Sequence, residues 1–488
     1  MTRGLRHLRP ADVGWKLGRA TEPRGGELWV PWDRTAGVIG PQGSGKTLDL
    51  LVPALLDAPG AAMVTLTKVD DLLLSFSPRS TGGRPCVVLD PFGLVPGLPE
   101  VVWDPIRGCV DPLVAERRAK AFTAGTVKGA VAGGHGDAAA RFYAAEAAKV
   151  LQGFFHAAAL TGGSLNDVLR WVARPMAATQ ATEILREHPH AASFWDGLLH
   201  GALHGDDRTA GNTVTTVQQA MSLFFQDEIR HRCVPGPGRP STAIADVIAA
   251  RGTIYLLGRE DPYASASPLM TAFAEHVLDT ALEVANASPW GRLCPPLHAV
   301  LDELPSTAPL PSLRTRMANE RALGISFIWA AQAWPQLAAV FGEQEARTLL
   351  GLTNNLIVFG GSKDVSFNKE ISDLLGQVRV ARTSWNGGRM GGRQTSGEDI
   401  AILAPAEVRQ LKEGQALVLA ENGAPIIAQL HRCIEGKVGR KLLAGKATLR
   451  AELAARHRDQ ITPEVRAFAA LTQARRSGLV DGSGDTRQ

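Results

Sequence analysis

The 488-residue sequence predicts an α/β fold, with a mainly parallel central sheet built around a phosphate-binding loop and interrupted by an inserted all-α domain. Three observations predict it. Gly40-Pro41-Gln42-Gly43-Ser44-Gly45-Lys46-Thr47 fits G-x-x-x-x-G-K-[ST], with apolar Val38-Ile39 before it and the helix-compatible run Leu48 to Leu56 after it. Short runs rich in Val, Ile and Leu recur between helical stretches, at Val38-Ile39, Ala61 to Leu66, Cys86 to Leu89, Thr253 to Leu257, His298 to Leu301, Ile325 to Ala330 and Leu356 to Phe359. Continuous apolar strands alternating with helices indicate a parallel sheet covered on both faces. From about Asp111 to Gly236, β-branched runs disappear and Ala, Leu and Arg dominate, with helical apolar spacing over Arg141 to Ala159, Leu165 to Val172 and Val214 to Phe225.

Each motif residue type has a physical task. Gly40, Gly43 and Gly45 let backbone N–H groups curl around phosphates without Cβ clashes, with Ser44 between them, and the dipole of the following helix favours the same anion. Lys46 is placed to reach the β- and γ-phosphates, and Thr47 to offer its hydroxyl to Mg²⁺. A second acidic element is needed, and Leu297 to Glu303 supplies an apolar strand ending in two carboxylates. Asp302 is the candidate for the Mg²⁺ shell and Glu303 for polarising the attacking water. His298, inside that strand, reads as a satisfied core or strand-edge histidine.

Composition narrows the class. Apolar residues make up 45% and charged residues 20%, which is ordinary for a globular chain, so no global disorder is implied. A net charge of +4 is slight at this length and neither requires nor excludes nucleic acid. The five cysteines, Cys86, Cys109, Cys233, Cys294 and Cys433, are dispersed without a C-x-x-C pair, which fits a reducing cytosol and no cysteine metal site. No signal peptide is visible, and no run approaches the roughly 20 apolar residues of a membrane helix. The longest candidate, Ala322 to Trp334, reads as a buried strand followed by a loop.

The expected organisation is a basic N-terminal segment, 1–26; a discontinuous nucleotide-binding domain, 27–110 and 237–435; the inserted all-α domain, 111–236; and a basic helical tail, 436–488. Asp104-Pro105 and Pro235-Gly236-Pro237-Gly238 mark the edges of the insertion. Within it, Thr123 to Ala140 reads as a flexible Ala/Gly segment with His135 as a solvated loop residue. Gln415 to Ala420 and Pro425 to Leu430 read as an edge hairpin around Asn422-Gly423. Asn386 to Gly397, with Arg389 and Arg393, reads as a mobile polar loop.

An ordered series of blocks spanning about Leu28 to Leu430 resembles the TraG/TraD-like coupling ATPases of type IV secretion, the conjugative DNA-transfer proteins, in an actinobacterial style. After the phosphate loop come Pro53-Ala54-Leu55-Leu56, Val64-Thr65-Leu66-Thr67-Lys68 with Asp71, Leu89-Asp90-Pro91 and Trp103-Asp104-Pro105. Beyond the helical region the pattern resumes at Gly252 to Leu257, at Leu301-Asp302-Glu303-Leu304 with Pro309 to Leu313, at Ala331-Gln332-Ala333-Trp334-Pro335, and at Leu403 to Arg409.

The resemblance implies a RecA-like P-loop ATPase, ATP and Mg²⁺ as cofactors, and a homo-hexamer. It implies Gln332 as a γ-phosphate sensor or water-orienting amide, and a trans-acting arginine for which Arg321 is favoured over Arg316 and Arg314, Leu323 standing where the family usually has arginine. The implied work is ATP-driven recruitment and pumping of DNA, single- or double-stranded, with a relaxase or other cargo, to secretion channel proteins. Family members commonly carry N-terminal membrane helices and none precedes Gly40. The expected location is therefore cytoplasmic, peripheral at the inner face of the membrane through a partner such as a separate membrane subunit. Two alternatives remain open at this point: an ATP-switched recruiting adaptor with little turnover, and a soluble HerA/FtsK-type DNA motor outside secretion.

Overall fold

The computed structural model describes residues 9–127, 136–258, 265–385 and 393–460. In chain order the strands are β1 (Gly14–Glu22), β2 (Glu27–Pro31), β3 (Ala36–Ile39), β4 (Ala62–Leu66), β5 (Cys86–Leu89), β6 (Thr253–Leu257), β7 (Leu297–Leu301), β8 (Ile325–Ala331), β9 (Asn355–Phe359), β10 (Gln377–Trp385), β11 (Arg393–Ala401), β12 (Gln415–Ala420) and β13 (Ile426–Gln429). An 11-stranded sheet takes the order β2-β1-β13-β12-β9-β3-β8-β7-β4-β6-β5. From β9 to β5 every pairing is parallel, as the apolar runs predict. From β9 outward through β12, β13, β1 and β2 every pairing is antiparallel.

The parallel strands are apolar on both sides because both sides are packed. Ile254 and Leu256 of β6 join the core on one face, with Phe327 and Trp329 of β8. Tyr255, Leu257, Ile328 and Ala330, one residue out of phase, join the core on the other. This is the period-two alternation of a strand with two buried faces.

Three expectations change. The β12–β13 hairpin is not at an edge, since β13 pairs with β1 and β1 with β2. Gly14–Glu22, expected in the basic N-terminal segment, is a sheet strand: Trp15 and Leu17 are buried while Lys16 and Arg19 face solvent, so its polar residues hide a half-buried strand. The expected loop Asn386 to Gly397 is partly strand, because β10 and β11 form a separate antiparallel ribbon, with Trp385 opposite Arg393. Arg389 and His135 lie outside the described residues.

Between β5 and β6 the described chain is helical, with helices at Pro112–Ala124, Gly136–Leu160, Leu165–Ala173, Thr179–Glu187, Trp195–His204, Asp207–Met221 and Asp227–Cys233. Asp111 caps the first through a 2.9 Å bond from the Leu113 N–H. Val150, Leu151, Phe154 and Phe155 of the long helix are fully buried. His156 bonds the Cys109 carbonyl through Nδ1 at 2.8 Å and accepts from the Ala192 N–H through Nε2 at 3.0 Å, which requires the neutral Nδ1-protonated ring. The insertion shares its core with the sheet: Trp103 stacks on Phe122 at 6.1 Å and meets Phe273, on the helix Ser267–Ala287, edge-on at 5.5 Å. The tail forms the helix Gly436–Gln460. No helix among the described residues is long and apolar enough to cross a membrane.

Truncating Trp15, 1% exposed, should cost about 3–5 kcal/mol in chemical denaturation, because the cavity opens beneath β1. Arg19→Ala, on the solvent face of the same strand, should stay within about 0.5 kcal/mol. Equal effects would place β1 outside the sheet.

Candidate functional site

The site forms where parallel strands end at a common level. Ile39 of β3 is in register with Ala331 of β8, Trp329 of β8 with Leu301 of β7, and Leu301 with Thr65 of β4. Gly40, Asp302 and Gln332, each one residue past its strand, therefore emerge side by side at the carboxyl edge of the sheet. The Gly40 N–H bonds the Ala331 carbonyl at 3.2 Å and fixes the start of the loop. Crevices at this edge are where open α/β sheets bind ligands.

The loop has the backbone its glycines allow. Gly43 and Gly45 take φ of 79° and 98°. A Cβ on Gly45 would come within 2.2 Å of Asp49 Oδ2, so the position has neither conformational nor spatial room for a side chain. The expected helix begins as a π-turn, Thr47–Leu51, in which the Val52 N–H reaches Thr47 O, before the α-helix Val52–Asp57. Pro53 explains the widening: it lacks an N–H, and its ring would clash with the carbonyl four residues back in a regular helix.

Lys46, 6% exposed, donates to the carbonyls of Gly40 and Pro41, the latter at 3.1 Å. Burial lowers its pKa, against the opposing pull of Glu303 and Asp302. Thr47 Oγ1 donates to Asp302 Oδ2 at 2.9 Å, and Thr65 Oγ1 to the Asp302 carbonyl at 2.9 Å. Asp302 is 5% exposed, and burial raises its pKa against the Thr47 bond and the Lys46 charge. Its Oδ1 and the Ser44 hydroxyl are buried without a hydrogen-bond partner among the described residues. A buried carboxylate oxygen left over beside a threonine hydroxyl is the donor set a hard divalent cation needs, so Thr47 and Asp302 fit Mg²⁺. Glu303 occupies the left-handed region, φ 50° and ψ 47°, a strained conformation for a glutamate at a turn into the helix Leu304–Thr307.

These groups line one cleft of about 520 Å³ with Gln42, Gly43, Leu48, Thr67, Lys68, Asp71, Gln332 and Arg432. Gln336 Oε1 accepts from the Gln332 N–H at 3.2 Å and so holds the strand end facing the cleft. Lys68 and Asp71 belong to blocks visible in the sequence but carry no motif role there. Arg432 had no sequence signal, since it reaches the cleft through the pairing of β13.

Arg321 lies apart from the cleft. It is exposed on the turn Glu320–Leu323, without an ion-pair partner among the described residues. Arg314 and Arg316 are engaged: Arg314 pairs with Glu345 at 2.9 Å, and Arg316, 5% exposed, is held by Glu275, Asp279 and Glu320 at 2.7, 2.5 and 2.8 Å. Burial opposes the Arg316 charge, yet these carboxylates hold its pKa above the ordinary range. His298 is a core residue as expected: it is fully buried, bonds Ser326 Oγ at 3.0 Å and meets Trp32 edge-on, and burial pushes its pKa down to about 3.

This fold and cleft define a phosphate-loop nucleoside-triphosphatase fold of the RecA-like kind with a helical insertion. Residues 296–413 match the family model described as the TraM recognition site of TraD and TraG, a stretch that includes Asp302, Glu303, Arg321 and Gln332. Among solved structures, the chain is similar to the bacterial conjugative coupling protein TrwBdeltaN70 in its unbound monoclinic form, at 22% identity and TM-score 0.59, over 85% of this chain and 88% of that one. It is similar to the plasmid coupling protein TrwB in complex with the non-hydrolysable GTP analogue GDPNP, at 22% identity and TM-score 0.58 over 82% and 86% of the two chains. The complex of TrwB with ADP and Mg²⁺ matches at 21% identity and TM-score 0.58 over 83% and 87%. No curated protein matches. The family match over 296–413 is to TraD and TraG, the group that the order of motifs resembles, and the solved structures share the fold.

Burial pushes the Glu320 carboxyl up to about 7, against the lowering pull of Arg316. Its folded pKa exceeds its unfolded value, so its contribution to stability is complete below the ordinary glutamate range and is lost as pH rises through about 7. Glu320→Gln should remove up to about 1.4 kcal/mol per pH unit of that dependence between about pH 4.5 and 7. Parallel stability–pH curves for the two proteins would refute it.

Proposed function

We propose that this chain is an ATP-hydrolysing coupling protein that recruits and pumps DNA, or DNA with attached protein, toward a type IV secretion channel. The observation that carries the reading is the convergence of Lys46, Thr47, Asp302, Glu303 and Gln332 on one cleft, in a chain that shares its fold with a conjugative coupling protein.

ATP would supply the transferable γ-phosphoryl group, and Mg²⁺ held by Thr47 and Asp302 would supply positive charge against its phosphates. Toward them, the glycine loop presents backbone N–H groups and Lys46 exchanges its loop carbonyls for phosphate oxygens. Thr47 and Asp302, already in contact, hold the cation shell. Glu303 polarises the attacking water, and the Gln332 amide couples γ-phosphate occupancy to strand β8. Arg321, exposed and unpaired, reaches the cleft of a neighbouring copy in a homo-hexamer. The helical insertion 111–236 selects cargo, since none of its described residues lines the cleft. The relaxase or other cargo, the channel proteins and a separate membrane subunit that brings the protein to the inner face of the membrane complete the proposed partners.

The presence of an acid at 303 favours turnover over a pure ATP switch, which has no use for a water-polarising group. Lys46→Ala should abolish nucleotide binding. Glu303→Gln should bind nucleotide with near-normal affinity and lower phosphate release at least about hundredfold. Near-normal release by Glu303→Gln would remove that residue from its role.

DNA contact releases counterions, so a protein neutralising about five phosphates should lose roughly 10²- to 10³-fold in affinity between 50 and 200 mM salt. Undetectable binding to single- and double-stranded DNA at low salt, with ATP present, would defeat the motor reading and favour the recruiting adaptor.

A further inference from the structure

Arg432 stands at the cleft without a part in the chemistry described above. It follows β13, and its backbone neighbour ties it to the phosphate-loop helix: the Cys433 N–H bonds the Leu48 carbonyl at 3.0 Å. Its guanidinium is anchored on two sides. Nε donates to Asp49 Oδ1 at 2.9 Å, and Nη2 contacts Asp49 Oδ2 at 3.4 Å and Glu413 Oε1 at 3.2 Å. Asp49 is buried, its side chain 2% exposed, while Arg432 keeps 28% of its own surface open. Nη1 donates to no group among the described residues, and Arg432 lines the cleft together with Gly45, Thr47 and Leu48.

The orientation of a nucleotide in this cleft follows from its chemistry. Lys46, Asp302, Glu303 and Gln332 mark the γ-phosphate end, because the cation site and the water-polarising acid must face the bond that breaks. The α-phosphate and nucleoside then leave along the beginning of the helix, past Thr47 and Leu48. Arg432 occupies that side. A guanidinium held by two carboxylates, with Nη1 unengaged among the described residues and 28% of the side chain exposed, has N–H groups for an anionic oxygen and a cationic plane on which an aromatic ring can stack.

We propose that Arg432 binds the nucleoside end of the nucleotide, its free Nη1 donating to the α-phosphate and its face covering the base, with Asp49 holding it in place. The proposal rests on the reading of the cleft as a nucleotide site. It adds a contact supplied by the antiparallel flank of the sheet, outside the phosphate loop and the acidic strand.

Calorimetric titration of the full chain with Mg·ADP and with Mg·tripolyphosphate, which lacks a nucleoside, tests it. A charge-assisted contact of this kind predicts that Arg432→Ala weakens ADP binding about ten- to hundredfold. Tripolyphosphate affinity should stay within about threefold of wild type. Arg432→Lys, which keeps the charge but not the plane, should recover part of the ADP loss. Asp49→Asn removes the anchoring charge but leaves the guanidinium, and should weaken ADP less than Arg432→Ala does.

If Arg432 only braces the loop, ADP and tripolyphosphate affinities fall together and Asp49→Asn matches Arg432→Ala; that pattern overturns the proposal. Unchanged ADP affinity in Arg432→Ala overturns it too, while leaving the nucleotide site intact. Wild-type protein that binds neither ligand would overturn the nucleotide reading and this proposal with it.

Discussion

The level at which β3, β7 and β8 end governs the position of every group in the cleft. A parallel ladder fixes neighbouring strands to within one residue, and a slip of one residue would turn each side chain to the opposite face. Ile39 against Ala331 and Leu301 against Trp329 therefore deliver Gly40, Asp302 and Gln332 to one edge, though they are far apart in the chain. The Thr47–Asp302 bond crosses between two of these strand ends. It leaves Asp302 Oδ1 buried and without a hydrogen-bond partner among the described residues, an oxygen that a bound cation would satisfy.

The antiparallel flank completes the cleft from the other side. β12 and β13 carry the chain back to the phosphate-loop helix, where Arg432 meets Asp49 and Cys433 meets Leu48. The C-terminal helix then packs on the helix Val69–Arg79, with Lys446 and Arg450 both paired to Asp70. Lys68 and Asp71 flank that aspartate in sequence and line the cleft. The cleft and the C-terminal helix thus meet on two segments, the one that carries Arg432 and the start of Val69–Arg79. The far end of Val69–Arg79 is rigid, because Arg79, 2% exposed, is bonded to the Gly60 carbonyl and to Thr253 Oγ1, both at 2.8 Å.

A different buried network stands beneath Arg321. Glu275 and Asp279 project from the helix Ser267–Ala287, and Arg316 and Glu320 from the segment beyond β7. Three acids around one guanidinium are costly to bury, and the high Glu320 pKa reflects its burial first, with the nearby Asp279 and Glu275 charges adding to it. The ion pairs hold Glu320, the first residue of the turn on which Arg321 is exposed.

The sequence alone determined the parallel half of the sheet, because strands buried on both faces must be apolar throughout and such runs are legible without a partner. It also determined the phosphate loop and the acidic strand end, whose chemistry depends on residue types at fixed local spacing, and the helical character of the insertion. The tertiary structure decided what depends on partners distant in sequence. β1 was hidden because one face is solvated, so Lys16 and Arg19 dilute Trp15 and Leu17. The hairpin reads as an edge from the sequence because nothing in Gln415 to Leu430 shows that β1 covers β13. Arg432 was invisible because its place at the cleft comes from strand order, 383 residues after Asp49 in the chain. The resemblance favours Arg321 over Arg314 and Arg316 without a physical ground, and folding supplies one by giving the other two carboxylate partners and leaving Arg321 exposed. Local spacing fixes what a segment can do, but only the register of non-local strands fixes which groups meet.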